Sequence, residues 1–287
     1  MKIIRSPRAM TAWSDQLRRE GVTIGLVPTM GALHDGHRAL IRDIRLRCDA
    51  LAVSIFVNPT QFGPKEDLTT YPRQIARDRM LCRTEGVDAC FEPTASAMYP
   101  EGFQTTVSVP DIARRWEGAA RPHHFGGVAT VVAKLFGIVR PHLTAFGQKD
   151  YQQAALVRQL IADLNLGIEL DVRPTVREED GLAMSSRNVY LSPDQRRRAP
   201  ILYRALSAGR QAILGGLRDG GKVNRIMKQI MKQEPVIQVE YLAVCDVASL
   251  EPLSKIVRSA VLLGAARIGS VRLIDNITVS VPTRKRS

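Results

Sequence analysis

The feature that most limits how this chain can fold is an order of segments: an apolar run, a glycine-bearing loop, then a helical pattern, first met between residues 22 and 48. The run 22–27 has the length and composition of a buried strand, and the stretch that ends near Cys48 has the spacing of an amphipathic helix. The order recurs through the first half, with strands expected at 22–27, 51–57, 87–92 and 143–146 and helical patterns between them. Such alternation predicts an α/β fold: a Rossmann-like, doubly wound parallel sheet with helices on both faces and ligands at the carboxyl ends of its strands. A further extended run, 168–173, leads through Pro174 into Arg177-Glu178-Glu179-Asp180-Gly181, read here as a hinge or linker. Residues 1–175 are therefore expected to form the Rossmann-like domain, and 176–287 a second, smaller α+β lid domain. In that domain helices are expected at 193–214 and 223–233, and strands at 238–247 and 260–279 with turns at Gly264 and Gly269.

A chain of 287 residues can bury a core large enough for two domains. Its longest apolar stretches, such as 50–57 and 259–266, fall far short of the ~20 residues a membrane span needs. Residues 1–15 offer no apolar segment of signal-peptide length, so a cytoplasmic location is expected. Cys48, Cys82, Cys90 and Cys245 lack any ligand spacing, which suits reduced, mostly buried thiols. The formal charge of +13 admits nucleic acid, an anionic surface or small anionic substrates as partners. Its Lys and Arg residues are spread along the chain, including Arg196-Arg197-Arg198 and the tail Arg284-Lys285-Arg286, and stacking aromatics are sparse. Solvated basic faces account for that distribution, and neither nucleic acid nor membrane is expected as a partner.

Each segment able to carry chemistry follows an expected strand. Pro28-Thr29-Met30-Gly31-Ala32-Leu33-His34-Asp35-Gly36-His37 follows the first. The N–H groups that open a helix point at such a loop, Gly31 and Gly36 let backbone approach an anion, and His34 and His37 would share a face of the first turn. Two imidazoles there could clamp phosphate charge; a surface pair, an N-cap or half of a metal site are the other readings. Asn58-Pro59-Thr60-Gln61-Phe62-Gly63 follows the second strand, and the Asn58 and Gln61 amides can bind hydroxyl, carboxylate or amine. After the fourth strand, Gly147-Gln148-Lys149-Asp150 offers close backbone approach, a mobile ammonium and a carboxylate for ribose hydroxyls, or simply a polar loop with an N-cap. Met184-Ser185-Ser186-Arg187-Asn188 sets two hydroxyls and a guanidinium after Gly181, as in a loop closing on a triphosphate, or in a solvated turn.

Together these segments closely resemble the pantothenate synthetase (pantoate–β-alanine ligase) family of the nucleotidylyltransferase superfamily. Residues 28–37 resemble that family's version of the HIGH signature, and 184–188 its counterpart of the mobile KMSKS loop with Arg187 as the cation. Residues 56–63, 121–132 and 147–153 resemble its other signatures, in the family's order. The resemblance implies ATP-dependent condensation of (R)-pantoate with β-alanine through a pantoyl adenylate, releasing pyrophosphate and AMP. It implies ATP contacts from Met30, His34, His37, Gly147, Gln148, Lys149, Asp150, Val176, Met184, Ser185, Ser186 and Arg187, with His34, His37, Lys149 and Arg187 carrying the catalysis. It gives pantoate to Gln61 and Gln153, and β-alanine to Asn58 and Gln61. It further implies Mg²⁺ with the nucleotide, Asp78 as a candidate ligand for it, and a homodimer formed through the N-terminal domain.

Two departures from the family pattern stand out. Gly126 occupies a position where family members usually carry a charged residue, often arginine. Arg77 precedes Asp78 where the family often has paired acidic residues, leaving one carboxylate for the metal. Related signatures occur in aminoacyl-tRNA synthetases, which keeps an RNA-directed activity as the alternative, although no RNA-binding motif is visible. A non-enzymatic homodimeric scaffold is the third reading.

Overall fold

The computed structural model describes residues 1–64 and 66–281, so the basic tail Arg284-Lys285-Arg286 lies outside the described residues. Among the described residues nine strands form two sheets. The first sheet holds β1 (Lys2–Ile4), β2 (Ile24–Thr29), β3 (Ala50–Ile55), β4 (Ala89–Phe91), β5 (Leu143–Gly147) and β6 (Glu169–Arg173). Its order is β1-β4-β3-β2-β5-β6 and every pairing is parallel. Ile24, Leu26 and Val27 of β2 are fully buried, and because neighbouring residues point to opposite faces, both faces of this strand are covered. That is why it reads as a continuous apolar run and not as an alternation.

Strand numbers rise from β2 to β4 on one side and from β5 to β6 on the other, so the order reverses between β2 and β5. These two strands pair only at Gly25 with Leu143 and Leu26 with Thr144, whereas β5 stays paired with β6 as far as Gly147 and Arg173. The β2–β5 ladder therefore ends before either strand does. The loops on either side of the gap are the two that begin at Met30 and at Gln148, and the neighbouring β3 carries Asn58 and Gln61.

The second sheet is antiparallel, β7 (Ile237–Cys245), β8 (Ser259–Ile268) and β9 (Val271–Ser280), and the helices Ile201–Leu214 and Gly220–Met231 share a core with it. Leu202, Leu206, Met227, Leu242 and Leu262 are central to that core. Two compact units result. One comprises Met1–Arg114, Arg121–Gln148 and Gln152–Thr175; the other takes Arg115–Ala120, Lys149–Tyr151 and the chain from Val176 onward. No helix among the described residues is long and apolar enough to cross a membrane. All four cysteines are free, with Cys82, Cys90 and Cys245 buried.

The structure corrects several expectations. The short strand β1 was not anticipated, because Lys2–Ile4 is too brief to show a period. The expected helix 193–214 is two helices, Pro193–Arg198 and Ile201–Leu214, since Pro200 has no N–H to continue the first. Gly264 is not a turn but lies inside β8, where it makes room: a Cβ there would sit 2.8 Å from Leu202 Cδ1 and 3.0 Å from Leu242 Cδ2. The supposed hinge 177–181 is a closed turn, with Glu178 N–H donating to Leu182 O at 2.8 Å and Met184 N–H to Val176 O at 3.0 Å. Two of its three acidic residues are paired: Glu178 and Asp180 both bind Arg196.

Because Gly264 is pressed between two leucines, Gly264→Val is expected to destabilise the protein by about 1–3 kcal/mol through overpacking. Gly269→Ala should act through its backbone, where φ is +58°, and against the Gln195 amide nitrogen, 2.6 Å from where its Cβ would sit. Thermal unfolding measures both, and a midpoint for Gly264→Val equal to the parent's would contradict the packing described.

Candidate active site

After β2 the chain turns sharply through Gly31 (φ +84°) and Ala32 (φ +50°), a left-handed conformation that is uncommon for alanine. Two contacts hold it. The Thr29 hydroxyl donates to Ser54 O at 2.7 Å and accepts from the Gly31 N–H. From below, Asp78 accepts the Ala32 N–H at 2.9 Å on one carboxylate oxygen and the Leu33 N–H at 2.8 Å on the other. Asp78 is only 1% exposed; burial pushes its carboxyl up from the usual range, and the two amide donors pull the other way. The loop then enters the helix Asp35–Arg45 with His34 at its N-cap. His34 Nδ1 accepts the Gly36 N–H at 3.1 Å, and His37 Nδ1 accepts the His34 N–H at 3.3 Å. The ring centroids are 4.2 Å apart. An Nδ1 that accepts a backbone N–H places the remaining proton of a neutral ring on Nε2, so capping sets both rings as donors through Nε2.

The turn after β3 is tied with equal care. Asn58 is 1% exposed, and its amide is fully engaged within the chain. Nδ2 donates to Gln61 Oε1 at 3.2 Å and to Gly127 O at 3.1 Å, while Oδ1 accepts from Tyr99 OH at 2.7 Å and from the Thr60 hydroxyl at 2.9 Å. Two N–H donors and two lone pairs are the whole capacity of an amide. Asn58 thereby orients Gln61. Gln61 Nε2 lies 2.9 Å from Met30 Sδ, so the Gln61 side chain reaches the neighbouring loop. Arg121 and the His124 ring hold the Gln61 carbonyl. In the helix His124–Val139, Gly127 packs directly against this turn, where a Cβ would come within 2.3 Å of Thr60 O. Gly126, the position that departs from the family, meets nothing within 4 Å, so the missing side chain leaves open space and no distortion.

Gly147 ends β5, and Gln148, Lys149 and Asp150 form a short 3₁₀ turn leading into the helix Tyr151–Asp163. All four are half-buried, as is Gln153, while its neighbour Gln152 is buried and donates to Ile112 O at 2.7 Å. In the second unit the closed turn that begins at Val176 delivers Met184 and then Ser185, whose hydroxyl caps a 3₁₀ helix, Ser186–Tyr190, by accepting the Arg187 N–H at 3.3 Å. Ser186 and Arg187 are half-buried. The loop expected to be mobile thus has defined secondary structure. Among the described residues no group of three His, Cys, Asp or Glu side chains is arranged to hold a metal ion. Asp78, with both oxygens on backbone amides, is the anchor of the β2 loop, and Arg77 beside it bonds outward to Gln74 at 3.2 Å.

A family model described as pantoate-beta-alanine ligase matches residues 2–278. The chain belongs to the pantoate–β-alanine ligase family. A pantothenate synthetase of Heliobacterium modesticaldum is 49% identical over 281 residues, covering 98% of this chain and 100% of that protein. The crystal structure of pantothenate synthetase from Thermus thermophilus superposes with a TM-score of 0.92 at 46% identity, over 96% of this chain and 99% of that one. A pantoate-beta-alanine ligase from Francisella tularensis, solved with beta-gamma ATP and beta-alanine, gives 0.80 at 33% identity over 96% and 97%. Within this family frame, sequence reasoning missed Tyr99, Gly127 and the anchoring role of Asp78. Tyr99 and Asp78 act across 41 and 46 positions of sequence, where no local pattern points to them.

The two adjacent glycines give a sharp comparison. Gly127→Ala must push the Thr60–Gln61 backbone aside and is expected to lower stability by about 1–3 kcal/mol. Gly126→Ala fills open space in a helix and should leave stability unchanged or raise it by about 0.5–1 kcal/mol. Denaturant titration of both variants checks this, and equal midpoints would contradict it.

Proposed function

We propose that the carboxyl ends of β3, β2 and β5 receive the substrates of the reaction this family performs. As a pantoate–β-alanine ligase, the chain condenses (R)-pantoate with β-alanine at the expense of ATP. The observation that carries the site assignment is the sheet order: β3, β2 and β5 are hydrogen-bonded neighbours, and each carries one of the loops rich in amide, imidazole or ammonium groups. ATP is assigned to Met30, His34, His37, Gly147, Gln148, Lys149, Asp150, Val176, Met184, Ser185, Ser186 and Arg187. Pantoate is assigned to Gln61 and Gln153, with β-alanine beside Gln61. Mg²⁺ enters with the triphosphate as part of the nucleotide substrate. The family likeness supports a homodimer, which sedimentation would measure.

The chemistry asks for positioning and charge stabilisation, with no nucleophilic side chain. A pantoate carboxylate oxygen forms a bond to the α-phosphorus of ATP while the bond to pyrophosphate breaks. The β-alanine nitrogen, arriving as the neutral amine, then bonds to the acyl carbon, and AMP leaves with the electron pair of the broken C–O bond. In the first step negative charge grows on the α-phosphate and the pyrophosphate. The Nε2–H groups of His34 and His37, fixed by their own caps, and the cations Lys149 and Arg187 are the groups suited to it. Ser185 and Arg187 would keep the mixed anhydride from water as part of a lid.

Pyrophosphate exchange into ATP is expected to require pantoate and not β-alanine. Exchange without pantoate, or none with it, would exclude a pantoyl adenylate. Alanine substitution of His34, His37 or Lys149 should slow that exchange by roughly 10²- to 10³-fold each, the loss typical of one preorganised donor. A rate for Lys149→Ala within a few-fold of the parent would remove Lys149 from the phosphate site.

A further inference from the structure

The turn that carries Lys149 is fixed from a strand more than a hundred residues later. Val271, Leu273, Asp275 and Val279 share one face of β9 and all are buried, so Asp275 places a carboxylate on the face that otherwise contributes to the core. Such a group is costly there unless paired. Arg177 pairs it through both nitrogens, at 2.6 and 2.9 Å, while its guanidinium lies 4.3 Å from the Tyr203 ring centre and donates to Gly181 O at 3.0 Å. Burial pushes the Asp275 carboxyl up; Arg177, the Asn276 N–H and the Lys149 ammonium oppose that.

Asn276 is the next residue and is 2% exposed. Its N–H donates to Asp275 Oδ1 at 2.7 Å, its carbonyl accepts from Arg177 at 3.2 Å, and its side-chain Nδ2 donates to the Lys149 carbonyl at 2.9 Å. Tyr151 adds a second tether to the same short segment by donating its hydroxyl to Val247 O at 2.8 Å. Arg177 also closes the turn that leads to Met184 and Ser185. One buried pair therefore sets the backbone of Lys149 on one side and the start of the Ser185–Arg187 segment on the other.

We propose that Asn276, locked by the Arg177–Asp275 pair, is a positioning residue for Lys149 in the adenylation step. It touches no substrate; it fixes the main chain from which the ammonium is presented. This inference rests on the reading of Lys149 as an ATP contact. Substitution at Asn276 should act on rate chiefly through Lys149, which a double-mutant cycle can separate from a general loss of structure.

The test is pantoate-dependent pyrophosphate exchange in N276A and N276D, each made in the parent and in K149A. N276D keeps side-chain volume while an ionised carboxylate cannot donate to the Lys149 carbonyl, so it reports on the bond even if N276A folds poorly. In the parent both variants are expected to slow exchange roughly 10- to 100-fold, the scale of a reacting group displaced by about 1 Å. In K149A the same changes should alter the rate by less than about twofold, because the group they position is gone. Equal fold-losses in both backgrounds, or no loss in the parent, would overturn the positioning role while leaving Lys149 in place. A K149A rate close to the parent's would instead overturn the Lys149 reading and this inference with it.

Discussion

Strand β2 has a parallel partner on each side, and the partner on one side lets go early. It pairs with β3 along its whole length, from Ile24 with Ala50 to Thr29 with Ile55, but with β5 at two positions only. A strand in a fully paired parallel sheet ends with its carbonyl and N–H groups committed; one that loses its neighbour leaves the loop after it with space and unspent donors. The chain uses that space in the β2 loop. Thr29 and Asp78 take the first amides of the loop, which forces Gly31 and Ala32 into the left-handed region, and the capped pair His34 and His37 follows from that path. The imidazoles are thus fixed by backbone geometry before any substrate arrives, which is what electrostatic stabilisation of a transition state requires.

The second unit solves a similar problem with a buried ion pair. Arg177 and Asp275 hold hydrogen bonds to Gly181, Asn276 and each other, and Gly181 and Asn276 connect the pair to the Ser185 segment and to the Lys149 carbonyl. Replacing such a pair with apolar residues can preserve stability, so its value here lies in specifying backbone path. Gly181 shows how tight that path is: its φ is +92° and a Cβ would fall 2.1 Å from the Tyr203 ring.

Much of this was legible in the sequence because the signals were local. The buried strands β2, β3 and β5 read as apolar runs since both faces are covered, and the loops after them read as functional since each breaks a run with glycine, imidazole, amide or lysine. What sequence left hidden was long-range. Asp78 entered only through the family resemblance, as a metal candidate, and its bonds to Ala32 and Leu33 span more than forty positions that no local pattern joins. The polar 177–181 segment looked like a linker because composition cannot distinguish solvated acids from acids paired to Arg196. Asp275 did leave a trace: it replaces an apolar residue in the alternation Val271, Leu273, Ile277, Val279, a polar group at a core-facing position.

If the pantoate carboxylate attacks the α-phosphorus of ATP at these loops, one of its oxygens leaves with AMP. A single turnover with pantoate carrying a heavy-oxygen label in its carboxylate, followed by mass spectrometry of the nucleotide and pyrophosphate, tests this directly. Attack at the α-phosphorus transfers label to the phosphate of AMP and leaves none in pyrophosphate. Label absent from AMP, or found in orthophosphate released beside ADP, would place the attack at another phosphorus and contradict it.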